Sequence, residues 1–191
     1  MKKFILILFA LMCLAQWIIP GKMIYDSEQV IAEGTVYKFK TAPIDPSDPL
    51  RGKYVTLNFE QNFMTFTDSA EWQRGQEIFV TFTTDSAGFA VAENVYHSKP
   101  ESDIYLQTTV DYVIHYKDDH EVWYKLPFNR FYMEETKAPQ AEQLYWQALR
   151  DTTQTAYGLV RIRQGQAILQ DVVINGKPIV DMINAINERK E

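Results

Sequence analysis

Two patterns of apolar residues divide this chain. Residues 4–19 are apolar without interruption apart from Gln16, and the stretch continues through Pro20, Gly21 and Lys22 to Ile24. From residue 35 onward apolar and polar positions alternate, the period of half-buried strands. Tyr37 and Phe39 mark the first such run, and Val55, Leu57 and Phe59 the next, within residues 53–60. Ile78, Val80 and Phe82 share a face of 77–84, and Phe89, Val91 and Val95 share one of 88–96. A run over 103–116 puts Ile104, Leu106, Val110, Tyr112, Ile114 and Tyr116 in phase and is long enough to bend; 121–128 aligns Val122, Tyr124 and Leu126. Residues 158–179 read as a hairpin turning at Gln164-Gly165, then a second turn at Asn175-Gly176, the dipeptide best suited to a type I′ geometry.

Helical spacing is rarer. Residues 138–149 place Pro139 near a first turn and set Ala141, Leu144, Tyr145 and Ala148 three and four apart. The tail aligns Ile179, Met182, Ile183 and Ile186, with Arg189 and Lys190 at the end that the helix dipole favours. About eight short strands with frequent turns predict a mainly β body, a β-sandwich or partly open barrel, carrying one short surface helix and a C-terminal helix. An N-terminal transmembrane helix precedes it, and residues 25–34 read as its extension.

The leader admits two readings. A spanning helix needs roughly 20 apolar residues, reached here by continuing to Ile24. As a signal peptide, residues 4–14 form the apolar region, and cleavage near Ala15 follows small residues. The division expected is therefore 1–24, membrane anchor or signal peptide, and 25–191, an exported β-rich domain. Lys2 and Lys3 have no equal cluster beyond the segment, which keeps the N-terminus in the cytoplasm and the bulk of the chain outside it. The expected location is the cytoplasmic membrane, single-pass, with a periplasmic body.

A chain of 191 residues with 46% hydrophobic and 23% charged residues suits one folded domain plus an anchor. The net charge is −6, and residues 1–15 hold two lysines and no acid, so the remainder is more acidic still. Its basic residues are scattered, which argues against nucleic acid as a partner. Cys13, the one cysteine, lies in the leader, so no intrachain disulfide or cysteine metal site can form.

One loop stands apart. In PIDPSDPLRGKYVTLNF, residues 43–59, three prolines fix their own φ and push Asp45 and Asp48 toward extended backbone. Arg51 offers a planar fork for a carboxylate, and Gly52 permits a positive φ before the next strand. Turn chemistry explains much of this; a recognition surface on a rigid loop explains the rest.

These residues resemble the signature of the GDYXXLXY proteins, bacterial membrane-associated proteins of unknown biochemical function. Gly52, Tyr54 and Leu57 match by position, while Lys53 stands where the pattern has Asp and Phe59 where it has Tyr. The resemblance extends upstream through QWIIPGKMIYDSEQVIAEGTVYKFKTAPIDP and downstream through RFYMEE and GQAILQDVVINGKPI. In many relatives Pro-Glu-Gly follows the paired aromatics; here Met133, Glu134 and Glu135 follow Phe131 and Tyr132. The resemblance implies a retained N-terminal membrane helix, a body outside the cytoplasm and a multi-spanning membrane protein as partner. It supplies no catalytic residues.

Candidate chemistry is sparse. Asp45 and Asp48 form a carboxylate pair, but no second loop of that kind completes a dyad. His115, Asp118, Asp119 and His120 crowd one polar turn, which reads as a solvated hairpin before it reads as a metal site. There is no nucleophile elbow and no glycine cluster to cradle a phosphate. Arg130, Tyr132 and Glu135 fall in NRFYMEE, where Arg130 either pairs with Glu134 or Glu135 at the surface or joins a recognition patch. Trp72, Trp123 and Trp146 could make a sugar platform, but their spacing does not bring them together in sequence, and core packing is the ordinary use of such rings. The expectation is a non-enzymatic accessory protein without cofactor or metal, its contact residues being Asp45, Asp48, Arg51, Gly52, Tyr54, Arg130, Tyr132 and Glu135. The alternatives are an envelope glycan or small-molecule binding module and, more weakly supported, a hydrolase using Asp45 and Asp48.

Overall fold

The computed structural model describes residues 2–42, 54–67, 72–117, 119–151 and 153–188. Helix α1 (Lys2–Glu33) is continuous through Pro20. Among the described residues it is the one helix long and apolar enough to cross a membrane, and the large apolar side chains described on it, from Phe4 and Leu6 to Ile24 and Tyr25, are exposed. Its last turns behave differently. Val30 is buried, the Gly34 N–H closes the helix on the Val30 carbonyl at 2.9 Å, and Arg161 Nη1 donates to the Gly34 carbonyl at 3.2 Å. Arg163 donates to Gln29 at 3.3 Å and pairs with Glu33, so the foot of the helix is fastened to the body.

The body is mainly β, with twelve strands among the described residues. In the first sheet the order is β12 (Lys177–Pro178), β11 (Gln166–Ile174), β10 (Ala156–Arg163), β1 (Thr35–Ala42), β3 (Asn58–Phe59). The second runs β4 (Phe63–Phe66), β8 (His120–Tyr124), β7 (Leu106–His115), β5 (Glu77–Thr84), β6 (Ala90–Tyr96). A two-stranded ribbon joins β2 (Tyr54–Thr56) to β9 (Arg130–Tyr132). All of these ladders are antiparallel.

The β10–β11 turn brings the two large sheets together into a nearly closed, barrel-like wall. Its Gln164 and Gly165 sit at φ 46° and 86°, a primed hairpin turn. Gln164 N donates to Asp103 O at 2.7 Å, Gly165 N to Tyr105 O at 2.9 Å, and Gln107 N to Gly165 O at 3.0 Å, so the turn adds a short parallel bridge to β7. Asn175 and Gly176, at φ 50° and 77°, make the second turn as the sequence indicated.

Apolar faces of both sheets meet in one core. Phe39 is fully buried, with ring centroids 5.0 Å from Phe82, 5.0 Å from Phe128 and 5.9 Å from Phe59, all tilted or edge-on as aromatic quadrupoles prefer. Helices α2 (Ala138–Arg150) and α3 (Ile179–Glu188) cover one side, burying Ala141, Tyr145 and Ala148 from the first and Ile179 and Ile183 from the second. Desolvation pushes the Tyr145 hydroxyl up to about 12.

Two expectations need correction. The run over 53–60 is two strands: β2 pairs with β9, whereas β3 pairs with β1, and the chain changes partner at Leu57. The single phase expected along 103–116 breaks at a bulge between Val110 and Tyr112. Leu106 and Val110 are buried, but Tyr112 and Tyr116 turn to solvent, because the extra residue, Asp111, reverses which positions face inward.

Candidate functional site

In the β2–β9 ribbon Tyr54 lies opposite Tyr132, Val55 opposite Phe131, and Thr56 opposite Arg130. Val55 and Phe131 point into the core, so period two sends Tyr54, Thr56, Arg130 and Tyr132 outward. The two tyrosine rings lie 5.5 Å apart, and the Arg130 guanidinium sits 5.0 Å from the centre of the Tyr54 ring, in range of the attraction between a cation and an aromatic face. A hydrogen bond to the Tyr132 side chain, followed by the influence of both tyrosines, holds the guanidinium above its ordinary range. Tyr132 remains 66% exposed, an unusual degree for so large a ring.

Of the contact residues expected from sequence, Tyr54, Arg130 and Tyr132 are thus brought together, although the two strands are far apart in the chain. Glu135 is exposed in the turn that leads to α2. Asp45, Asp48, Arg51 and Gly52 lie outside the described residues. Glu134, one partner considered for Arg130, is instead engaged by Thr136 at 2.9 Å and Lys137 at 3.3 Å, and the Thr136 hydrogen bond leads in lowering its pKa. Leu57 and Phe59, the other described positions of the signature, are buried and belong to the core.

A second surface escaped the sequence reading. On the outer face of the second sheet Phe63, Trp123 and Tyr112 stack in a row, with centroids 4.6 Å and 5.3 Å apart and planes within 20° of parallel. Trp123 Nε1 donates to Glu121 at 3.0 Å. Beside this row runs an open groove of about 540 Å³ between the second sheet and β3. Its floor includes Leu57 and Phe59, and its rim carries Asn58, Asn62 and Asn129. The bulge that exposes Tyr112 also places Asp111 on this rim, 3.8 Å from Lys125. A surplus of asparagines around Leu57 and Pro127 was the available signal in sequence.

The remaining candidates do not assemble into one site among the described residues. Trp72 is buried and stacks on His97 at 4.0 Å, and Trp146 meets Tyr145 on α2, so the three tryptophans do not form one platform. His115 and His120 flank the β7–β8 turn with rings 6.1 Å apart; Asp118 lies outside the described residues. Among the described residues, no three His, Cys, Asp or Glu side chains are placed to hold a metal ion.

No curated protein and no solved structure matches the chain. A family model described as GDYXXLXY protein matches residues 16–172, from within α1 to β11, and takes in both surfaces described above. With that match covering most of its length, the chain belongs to the GDYXXLXY family.

Proposed function

We propose that this protein is a non-enzymatic accessory subunit, held in the cytoplasmic membrane by residues 1–24, with its N-terminus inside and residues 25–191 on the periplasmic side. In this reading it docks on a multi-spanning membrane protein through the outer face of the β2–β9 ribbon. The observation that carries it is the Tyr54–Arg130–Tyr132 cluster: an exposed Tyr132, a half-buried Tyr54 and a guanidinium held against both are side chains of the types that contribute most per residue at protein interfaces. Support for the anchor comes from the length and apolarity of α1, and for its orientation from Lys2 and Lys3. Asp45, Asp48, Arg51 and Gly52, which lie outside the described residues, precede β2 in the sequence and belong to the proposed contact surface.

The test is photo-crosslinking in intact membranes from a reactive residue placed at position 132, with mass identification of the product. A specific integral membrane protein is expected, and Arg130→Ala with Tyr54→Ala abolishes its co-purification while the melting temperature of the body stays unchanged. Unaltered co-purification removes this face as the contact. Release of the chain by alkaline washing removes the anchor.

A further inference from the structure

The groove beside the Phe63–Trp123–Tyr112 row has a chemistry of its own, separate from the ribbon cluster. Its rim offers the carboxamides of Asn58, Asn62 and Asn129, none of which has a hydrogen-bond partner among the described residues. Each carboxamide presents two donors and an acceptor at fixed spacing. The two charges on the rim, Asp111 and Lys125, face each other, so the groove has no net charge to select an ion. Leu126 and Pro127 supply accessible apolar surface over the buried Leu57 and Phe59, and the volume falls in the range of ligand sites on proteins.

Neutral donors and acceptors above apolar carbon match one ligand class closely. A sugar ring carries neighbouring hydroxyls around its edge and C–H groups on its face. The former pair with carboxamides, and the latter rest on apolar and aromatic surface. The groove is open along its length, which suits a chain of sugars over a compact molecule. Tyr112 ends the aromatic row with its ring 42% exposed, next in the chain to Asp111 on the groove's rim. A phosphate or carboxylate ligand would find only Lys125, already facing Asp111, and a cation only Asp111, already facing Lys125.

We infer that this groove is a binding site for an uncharged oligosaccharide, with Asn58, Asn62 and Asn129 pairing with its hydroxyls and the open ring of Tyr112 extending the site along the sheet. The bulge at Asp111 is the device that builds it, because it turns Tyr112 outward beside Trp123 and sets Asp111 against Lys125.

The experiment uses the full chain in lipid nanodiscs, free of sugar detergents, with chitohexaose and cellohexaose as probes. Saturation-transfer NMR on the sugars and tryptophan fluorescence of the protein are followed together. At least one probe is expected to bind saturably, and Asn62→Ala with Asn129→Ala to weaken it about tenfold or more, a loss of roughly 1.4 kcal/mol. Tyr112→Ser weakens it independently. Melting curves of all variants, unchanged from the parent, show that the fold persists. Arg130→Ala and Tyr132→Ala leave sugar binding as it was, which separates this site from the proposed docking face. Absence of saturable binding to both probes overturns the inference, as does binding that the asparagine and Tyr112 substitutions leave unchanged.

Discussion

Arg163 Nη2 lies 2.6 Å from the Glu33 carboxylate and joins the last turn of the N-terminal helix to the first sheet. The same arginine reaches Gln29, and Arg161, two residues away on the same face of β10, holds the carbonyl of Gly34. Helix and body therefore meet through several contacts and not through a free linker. The ion pair itself is partly exposed, and such pairs contribute about 0 to 1 kcal/mol. Arg163→Ala is thus expected to lower the melting temperature of the body only slightly. Its larger effect falls on the joint: spin labels at positions 22 and 166 should give a narrow distance distribution in the parent and a broader one in the variant.

Gly34 itself is a stricter test of that joint. A Cβ there would lie 2.3 Å from the Val30 carbonyl oxygen and 3.2 Å from Arg161 Cβ, and the first obstacle is backbone. Gly34→Ala must displace the end of the helix. A loss of about 1 to 3 kcal/mol in urea unfolding is expected, the range for overpacking a close contact.

Gly165 carries the closure between sheets. It sits at φ 86°, and a Cβ would come within 2.9 Å of Gln107 Cβ. Gly165→Ala combines backbone strain with a clash and should cost about 1 to 3 kcal/mol. Faster amide exchange at Gln107 and Gly165, ahead of the rest of β7, would mark the opening of this seam.

Phe39 tests the aromatic core. The ring is fully buried among Phe59, Phe82 and Phe128, and Phe39→Ala should cost about 3 to 5 kcal/mol, measured by chemical denaturation. A loss below about 1 kcal/mol would contradict the packing described.

Asp171 predicts a pH dependence. Desolvation raises its pKa above the ordinary 3.8, nearby Asp181 adds to this, and the Val172 N–H opposes it. A carboxyl with a raised pKa in the fold binds its proton more tightly there than in the unfolded chain. Its contribution to stability is full below 3.8 and is lost as pH rises through the folded value. Asp171→Asn keeps an oxygen for the Val172 N–H and removes the charge. The difference in stability between variant and parent should therefore grow in the variant's favour as pH rises from about 3 to 7. A difference that shrinks with rising pH would reverse the assignment.

Much of this architecture was legible where the determinants are local. The Gln164-Gly165 and Asn175-Gly176 turns announce themselves because few residues accept positive φ, and α2 and α3 follow from their apolar spacing. Period two located β5 to the residue. What stayed hidden depends on partners distant in sequence. Nothing around Leu57 says that the chain leaves β9 for β1 at that point, and the three residues of β9 are too few to show alternation. A bulge has no composition of its own, so the outward turn of Tyr112 could not be read from 103–116. Tyr54 and Arg130 each stood out as recognition residues, but their contact required the ribbon.

The first sheet ends on both sides in strands of only two residues, β12 and β3. Each covers only two residues of its neighbour, Val173 and Ile174 of β11 and Thr41 and Ala42 of β1, so along most of both longer strands no described ladder occupies the outward edge. Unpaired main-chain groups of that kind are a template on which another chain can lay a strand, so this rim invites copies crowded side by side to zip together wherever nothing else shields it.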